Sequence, residues 1–306
     1  MGRIYQTDAL EAAFPFFSDF HSIAENSRGG VFSVFDHTRG ERVALKLVRD
    51  SGSEDVRQRM EQEFRLLTSI FSERLIRVFQ ASFAVSRRAT TAIDLGGGSV
   101  EHLWFTMELG DSDVRKQMGS LPLLARVRAI QQLLEALCFL HVKRIAHRDI
   151  KPDNLFLFDG QIKIGDFDLA RGHHKAGLQP ISEGPIGTPQ YLAPERWQPV
   201  TEATDWRPSD QYAAGVTLFE ILSRGQLPLD CSSAISRWDW PAVEAVHRAG
   251  KIMPLSIPER PQASCSTVES LIRRMMSRDP AQRYPDIREC YLAFRTAVAH
   301  DRLDCI

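Results

Sequence analysis

The period of the hydrophobic pattern changes once along this 306-residue chain, near Leu109, and that change restricts the fold more than any other feature. Before it, apolar residues alternate or run in short blocks. Val31-Phe32-Ser33-Val34-Phe35 and Arg42-Val43-Ala44-Leu45-Lys46-Leu47-Val48 flank His37-Thr38-Arg39-Gly40, a strand–turn–strand pattern. One helical interval, residues 54–71, places Met60, Phe64, Leu67 and Phe71 at three- and four-residue spacing. Two more strands are expected over residues 76–85 and 103–109. The stretch between them, 86–101, holds Gly96-Gly97-Gly98 with no helix after it to receive a phosphate, and reads as a flexible surface insertion. Beyond Leu109 the period is helical. Residues 121–142 carry Leu124, Val127, Ile130, Leu134, Leu137 and Leu140 on one stripe, and a second apolar helix is expected over 209–223. Between them, two short strands flank Asp159-Gly160, a pair favoured in two-residue hairpin turns. The expected class is α+β. A small β-rich lobe covers about 1–108, a connector about 108–112, and a larger α-helical lobe about 113–306.

Composition limits the partners. Lys and Arg number 38 against 39 Asp and Glu, so the formal charge is −1, which leaves no footprint for nucleic acid or an anionic membrane. With 43% apolar and 25% charged residues, the chain can bury a core and is not disordered throughout. Its best apolar runs, 133–142 and 213–222, fall short of the roughly 20 residues a bilayer span needs. The start lacks the charged, apolar and small-residue order of a signal peptide. Gln6 stands where a myristoylation signal beginning at Gly2 needs a hydroxyl. Cys138, Cys231, Cys265, Cys290 and Cys305 are scattered without C-x-x-C spacing, as expected of reduced structural thiols. A cytoplasmic protein without a membrane anchor is the expectation.

Chemistry is concentrated where the first long helix meets the Asp-Gly hairpin. There stands His147-Arg148-Asp149-Ile150-Lys151-Pro152-Asp153-Asn154, followed by Asp166-Phe167-Asp168. Gly187-Thr188-Pro189-Gln190-Tyr191-Leu192-Ala193-Pro194-Glu195 comes later, and Val43-Ala44-Leu45-Lys46 lies upstream. In this order, and on these kinds of element, the motifs resemble the eukaryotic-type serine/threonine protein kinase family over nearly the whole chain. The resemblance implies a two-lobed kinase fold that uses ATP and Mg²⁺ to phosphorylate Ser or Thr hydroxyls of a protein substrate.

It also implies roles. Asp149 would act as catalytic base, Lys151 would approach the transferred phosphate, and Asn154 and Asp166 would hold Mg²⁺. Lys46 would contact the α- and β-phosphates and needs a carboxylate on the following helix. Glu63 is expected there, sharing a face with Leu66, Leu67 and Ile70; Glu61 points elsewhere. Met107 would gate the back of the adenine site, Glu108 and Gly110 would offer backbone groups, Val31 and Ala44 would roof the base and Phe156 would floor it. Glu195 would pair with Arg283, and Asp210 would bond the backbone of the catalytic loop. Thr188 would bond Asp149 and Lys151.

Two positions depart from the family pattern. The three glycines expected over the phosphates fall on Ala24, Asn26 and Gly29, and only the last is glycine. Asn26 tolerates positive φ and is the expected substitute. Asp168 stands where the family has glycine. The alternative reading is therefore a pseudokinase that binds nucleotide or acts as a scaffold without catalysis. Arg148 implies an anionic partner in the loop 169–187, either phosphorylated Ser182 or the fixed charge of Glu183, because Gly184 occupies the usual phosphosite.

Overall fold

The computed structural model describes residues 4–50, 52, 54–82, 90–96, 98–167, 170–172, 187–197, 204–236, 239–260 and 265–304. The chain folds as two compact units, residues 1–71 with 75–110, and 72–74 with 111–306.

The first unit is built on an antiparallel sheet. After helix α1 (Thr7–Ala13) come β1 (Phe17–Asn26), β2 (Gly29–Asp36), β3 (Glu41–Arg49), helix α2 (Glu54–Ser69), β4 (Val78–Ala81), β5 (Thr91–Asp94) and β6 (Ser99–Glu108). The sheet runs β1-β2-β3-β6-β4, with β5 also paired to β6. The β2–β3 turn forms because Asp36 Oδ1 accepts the backbone N–H groups of Thr38 and Arg39, and Gly40 takes φ +71°. Tyr5, Leu10, Phe14, Phe17, Phe20, Phe32, Val34, Val43, Leu45, Leu47 and Ile93 form one buried cluster. Each such phenylalanine contributes about 1.5–3 kcal/mol by leaving water.

Three local expectations need correction. The segment around the triple glycine holds an unexpected strand: Thr91–Asp94 pairs with Ser99–His102, and Gly96 and Gly98 take positive φ in the turn. That strand carries too short a pattern to read, since Ile93 is its one buried side chain and the small Ala92 beside it is exposed. Helix α2 stops at Ser69, so Phe71 leaves the stripe and is 75% exposed. Among the described residues of the strand expected over 76–85, Val78–Ala81 is strand and residues 76–77 and 82 are not.

The second unit contains β7 (Ser112–Asp113), α3 (Val114–Gln117), α4 (Leu123–Val142), β8 (Ile145–Ala146), the hairpin β9 (Leu155–Phe158) and β10 (Gln161–Ile164), and β11 (Arg171–Gly172). There follow α5 (Arg207–Leu222), α6 (Ser232–Ser236), α7 (Trp240–Ala249), α8 (Ser266–Met275) and α9 (Ile287–His300). Asp159 and Gly160 both take positive φ, the two-residue turn their chemistry favours. Helix α4 starts at Leu123 rather than 121, because Pro122 occupies the N-cap. Arg74 ties residues 72–74 to this unit through Glu135 and Gln161.

Helix α5 is buried on every face and packs against α4 and α8. Gly215 permits the approach to α8, since a Cβ there would lie 2.8 Å from Met276 Cγ. A helix so enclosed must satisfy each polar side chain internally. Gln211 exchanges two hydrogen bonds with the backbone of Tyr284, and Tyr212 bonds His247 Nδ1 on α7 at 2.9 Å. No helix among the described residues is long and apolar enough to cross a membrane.

Buried His247 makes stability pH-dependent. Burial lowers its pKa to about 4. The native ring is neutral where the unfolded chain, titrating near about 6.5, takes up a proton. Its contribution is therefore nil above that pH and becomes destabilising as pH falls toward 4, by about 3 kcal/mol across the window. Burial lowers His102 too, with the same sign. Asp149, Asp210 and Glu195 have lowered values, so their stabilisation is lost only at more acidic pH, as pH falls through those values. The urea midpoint is expected to fall between pH 7 and pH 5, and to fall less in His247→Gln. Equal falls in both proteins would refute this assignment.

Candidate active site

In the first unit, Lys46 sits on β3 opposite Val31 of β2, and Ala44 sits opposite Met107 of β6. Ala44 and Met107 are buried and Val31 is partly so. Lys46 Nζ donates to Glu63 Oε2 at 2.9 Å, and the Glu63 side chain is 1% exposed. Glu61 lies about 200° further round α2 and instead takes Arg65 at 2.8 Å, one turn along. A carboxylate this deeply buried needs a cation, and Lys46 supplies it. Glu108 ends β6, with its N–H on the Arg77 carbonyl and its carboxylate accepting the Arg77 N–H; Gly110 lies two residues on.

The β1–β2 turn differs from expectation at Asn26. Among the described residues, Asn26 is not at positive φ. Its Oδ1 accepts the N–H of Arg28 at 2.8 Å, closing the turn by a side-chain bond. Gly29, paired with Asn26, has φ +155°, and a Cβ there would lie 2.1 Å from the Leu47 carbonyl oxygen. Glycine is required at 29 by the neighbouring strand.

In the second unit Lys151, Asn154 and Thr188 converge on Asp149. Lys151 Nζ donates to Asp149 Oδ2 and to Thr188 Oγ1, each at 2.7 Å, and Thr188 Oγ1 donates to Asp149 Oδ1 at 2.9 Å. Asn154 Nδ2 donates to the Asp149 carbonyl at 2.8 Å and to Oδ2 at 3.0 Å. Burial alone would raise the Asp149 pKa, but Lys151, His147 and Thr188 outweigh it and hold the carboxyl below its ordinary range. The Asn154 amide nitrogen is thus committed, leaving its oxygen for a cation. The Asn154 carbonyl accepts the N–H of Gly165, which brings Asp166 next to it in the chain. Phe156, half-buried on β9 opposite Lys163, is outside this network.

The loop is held in an uncommon conformation. Arg148 and Asp166 have φ +71° and +60°, a region that costs a side-chain-bearing residue about 1–3 kcal/mol. Fully buried Asp210, from α5, accepts the N–H groups of His147 and Arg148 at 2.8 and 2.7 Å and bonds His141 Nε2 at 3.0 Å. Burial raises its pKa, and these bonds more than reverse that, so it remains an anion. His147 Nε2 lies 3.1 Å from the Gly165 carbonyl, so it carries the proton and Nδ1 accepts the Asp149 N–H. The His147 ring meets Phe167 edge-on at 4.6 Å. Arg283 grips Glu195 through both terminal guanidinium nitrogens at 2.7 and 2.8 Å.

One cluster escaped the sequence. Arg115 of α3 binds Glu220, Asp153 and the Tyr191 hydroxyl, and that hydroxyl donates to Glu220 at 2.6 Å. Glu220 is 2% exposed on α5. Its place in the apolar C-terminal half of the helix signalled a need for a cation, but Arg115 is 105 residues away in the chain. Asp168, His173, His174, Lys175, Ser182, Glu183 and Gly184 lie outside the described residues.

The donors suit Mg²⁺. No cluster of three or more His, Cys, Asp or Glu forms a metal cage among the described residues. Mg²⁺ is commonly held by one or two carboxylates with waters and substrate phosphates, and Asp166 with the Asn154 oxygen provides such an incomplete set.

Three relatives have comparable similarity. The chain is 28% identical to serine/threonine-protein kinase PksC of Streptomyces coelicolor over 86% of its length and 45% of the relative's. It is 27% identical to serine/threonine-protein kinase pkn2 of Myxococcus xanthus over 92% and 32%, and 28% identical to serine/threonine-protein kinase PknL of Mycobacterium tuberculosis over 86% and 61%. It therefore spans less than two thirds of each relative's own length. The family model described as the protein kinase domain matches residues 17–294, nearly the whole of both units. With that match, the chain belongs to the protein kinase domain family.

Proposed function

We propose that this chain transfers the γ-phosphate of ATP to Ser and Thr hydroxyls of protein substrates. The observation that carries the reading is the Asp149 carboxylate, kept ionised by Lys151 and Thr188. Lys46, oriented by Glu63, contacts the α- and β-phosphates. Asp166 and Asn154 would hold Mg²⁺, which supplies neutralisation of phosphate charge when bound. Val31, Ala44, Met107 and Phe156 contact the adenine, and Glu108 and Gly110 offer it backbone groups. Asn26 and Gly29 belong to the hairpin over the phosphates.

The acceptor oxygen attacks the γ-phosphorus as the bond to the bridging oxygen breaks, and ADP leaves. Asp149 orients the hydroxyl by accepting its hydrogen bond. A carboxylate of lowered pKa is a weak base, so the proton moves to it only as the new P–O bond forms. Lys151 neutralises charge on the transferred group. Lys151 and Thr188, both bonded to Asp149, support Ser and Thr over Tyr as acceptors.

The test is transfer of labelled phosphate from MgATP to the chain itself and to a generic basic protein, with identification of the labelled amino acid. Label on Ser or Thr supports the reading; label on Tyr alone overturns it. Glu63→Gln leaves Lys46 without its counter-charge and is expected to lower kcat/KM for ATP about 100-fold through misplacement of the ammonium. An unchanged kcat/KM would remove Glu63 from the mechanism.

A further inference from the structure

The β1–β2 hairpin lacks glycine from Ala24 through Arg28, and no residue in that stretch takes positive φ. Gly29 and Gly30 answer to packing: Cβ atoms there would lie 2.1 Å from the Leu47 carbonyl and 2.8 Å from the Phe32 ring. The hairpin therefore has little backbone freedom of its own, and its position depends on what grips its two strands.

The β2–β3 ladder holds one strand, and a second grip comes from the segment preceding β1. The carboxylate of Glu25, one residue before Asn26, accepts the backbone N–H groups of Ile4 and Tyr5 at 3.1 and 3.3 Å. Tyr5 is 2% exposed, and its ring meets Phe32 edge-on at 5.5 Å. Phe32 is the side chain against Gly30, so the segment touches both strands of the hairpin. Its far side is fixed to β6. Tyr5 Oη bonds His102 Nε2 at 2.9 Å; His102 Nδ1 donates to the Val100 carbonyl at 2.8 Å, which leaves Nε2 to accept. Phe14 continues the attachment, edge-on to Trp104 at 5.6 Å.

We infer that residues 4–16 form a strap that sets the position of the β1–β2 hairpin, with Glu25 and Tyr5 as positioning residues for nucleotide binding. The strap supplies from outside the restraint that a hairpin without tip glycines cannot adjust from within. The inference rests on the reading that this hairpin covers the phosphates of ATP. A charged acceptor shared by two backbone donors is a stronger tie than a neutral hydrogen bond.

The test uses the full chain with Glu25→Ala, Glu25→Gln and Tyr5→Phe, measuring the Kd of MgATP, KM for ATP, kcat, thermal midpoint and amide exchange of residues 24–30. Loss of the Glu25 tie is expected to raise Kd and KM for ATP about 5- to 10-fold, the worth of one net hydrogen bond. The fall in kcat at saturating ATP should be smaller than the rise in KM. Glu25→Gln, which keeps an acceptor oxygen, should recover most of the affinity, and Tyr5→Phe should show a smaller rise in KM. Amide exchange at 24–30 should quicken in Glu25→Ala. A lower thermal midpoint with unchanged ATP affinity and unchanged exchange would make the strap structural only and overturn the inference. Should the wild type bind no ATP, the proposed function fails first. The exchange measurement still decides: quickened exchange upholds the strap, and unchanged exchange ends it.

Discussion

Asp149→Asn is expected to lower phosphate transfer about 10²- to 10⁴-fold while leaving ATP binding and fold in place. The substituted amide can still accept from Thr188, but it carries no charge for Lys151 and cannot take the hydroxyl proton. The two nitrogens that now meet at Asp149 Oδ2, Lys151 Nζ at 2.7 Å and Asn154 Nδ2 at 3.0 Å, would lose their shared anion. Transfer rates and ATP affinity, measured together in both proteins, separate chemistry from binding. Equal transfer by wild type and variant would exclude Asp149 as the base. Binding of ATP with no transfer by the wild type under any divalent metal would select the pseudokinase reading, and the departures at Ala24, Asn26 and Asp168 would then be disabling.

Arg283→Ala is expected to cost about 3–5 kcal/mol, because it leaves the Glu195 carboxylate in a partly buried site without its partner. At about 2–4 °C per kcal/mol for a unit of this size, the thermal midpoint falls by roughly 10 °C. The Arg283 side chain is wholly buried, and it also donates to the carbonyls of Pro208 and Ser277. Glu195 in turn accepts from Ser209, the neighbour of Asp210, so the damage reaches the anchor of His147 and Arg148. Arg283→Lys restores charge but not the two-pronged grip, and should recover only part of the loss. Removing both partners with Glu195→Leu and Arg283→Met should cost much less than Arg283→Ala alone. A double variant as damaged as the single one would show that the carbonyl bonds, rather than the ion pair, carry the stability.

Much of the fold was legible because its signals are local. Asp159-Gly160 specifies its turn by backbone preference, and the result is a hairpin with both residues at positive φ. The helical stripe of residues 121–142 is matched by buried Val127, Ile130, Leu134, Leu137 and Leu140. The order of motifs identified the family, since catalytic residue types recur at restricted spacings. What misled were segments whose pattern was too short to carry a period. The Thr91–Asp94 strand offers one inward side chain, and Phe71 continued a helical spacing that the backbone had already abandoned.

By itself the sequence determined the order of the elements and the change from strands to helices, which follow from periodicity over a few neighbours, and the family, which follows from the order of its motifs. Only the tertiary structure decided who meets whom across long separations. It showed that Arg115 neutralises buried Glu220, 105 residues away. It also showed that Gly29 yields to the Leu47 carbonyl, and that Glu25 holds a segment twenty residues before it. Those pairings depend on close packing and on the cost of leaving a buried charge alone, and neither leaves a periodic trace in the chain.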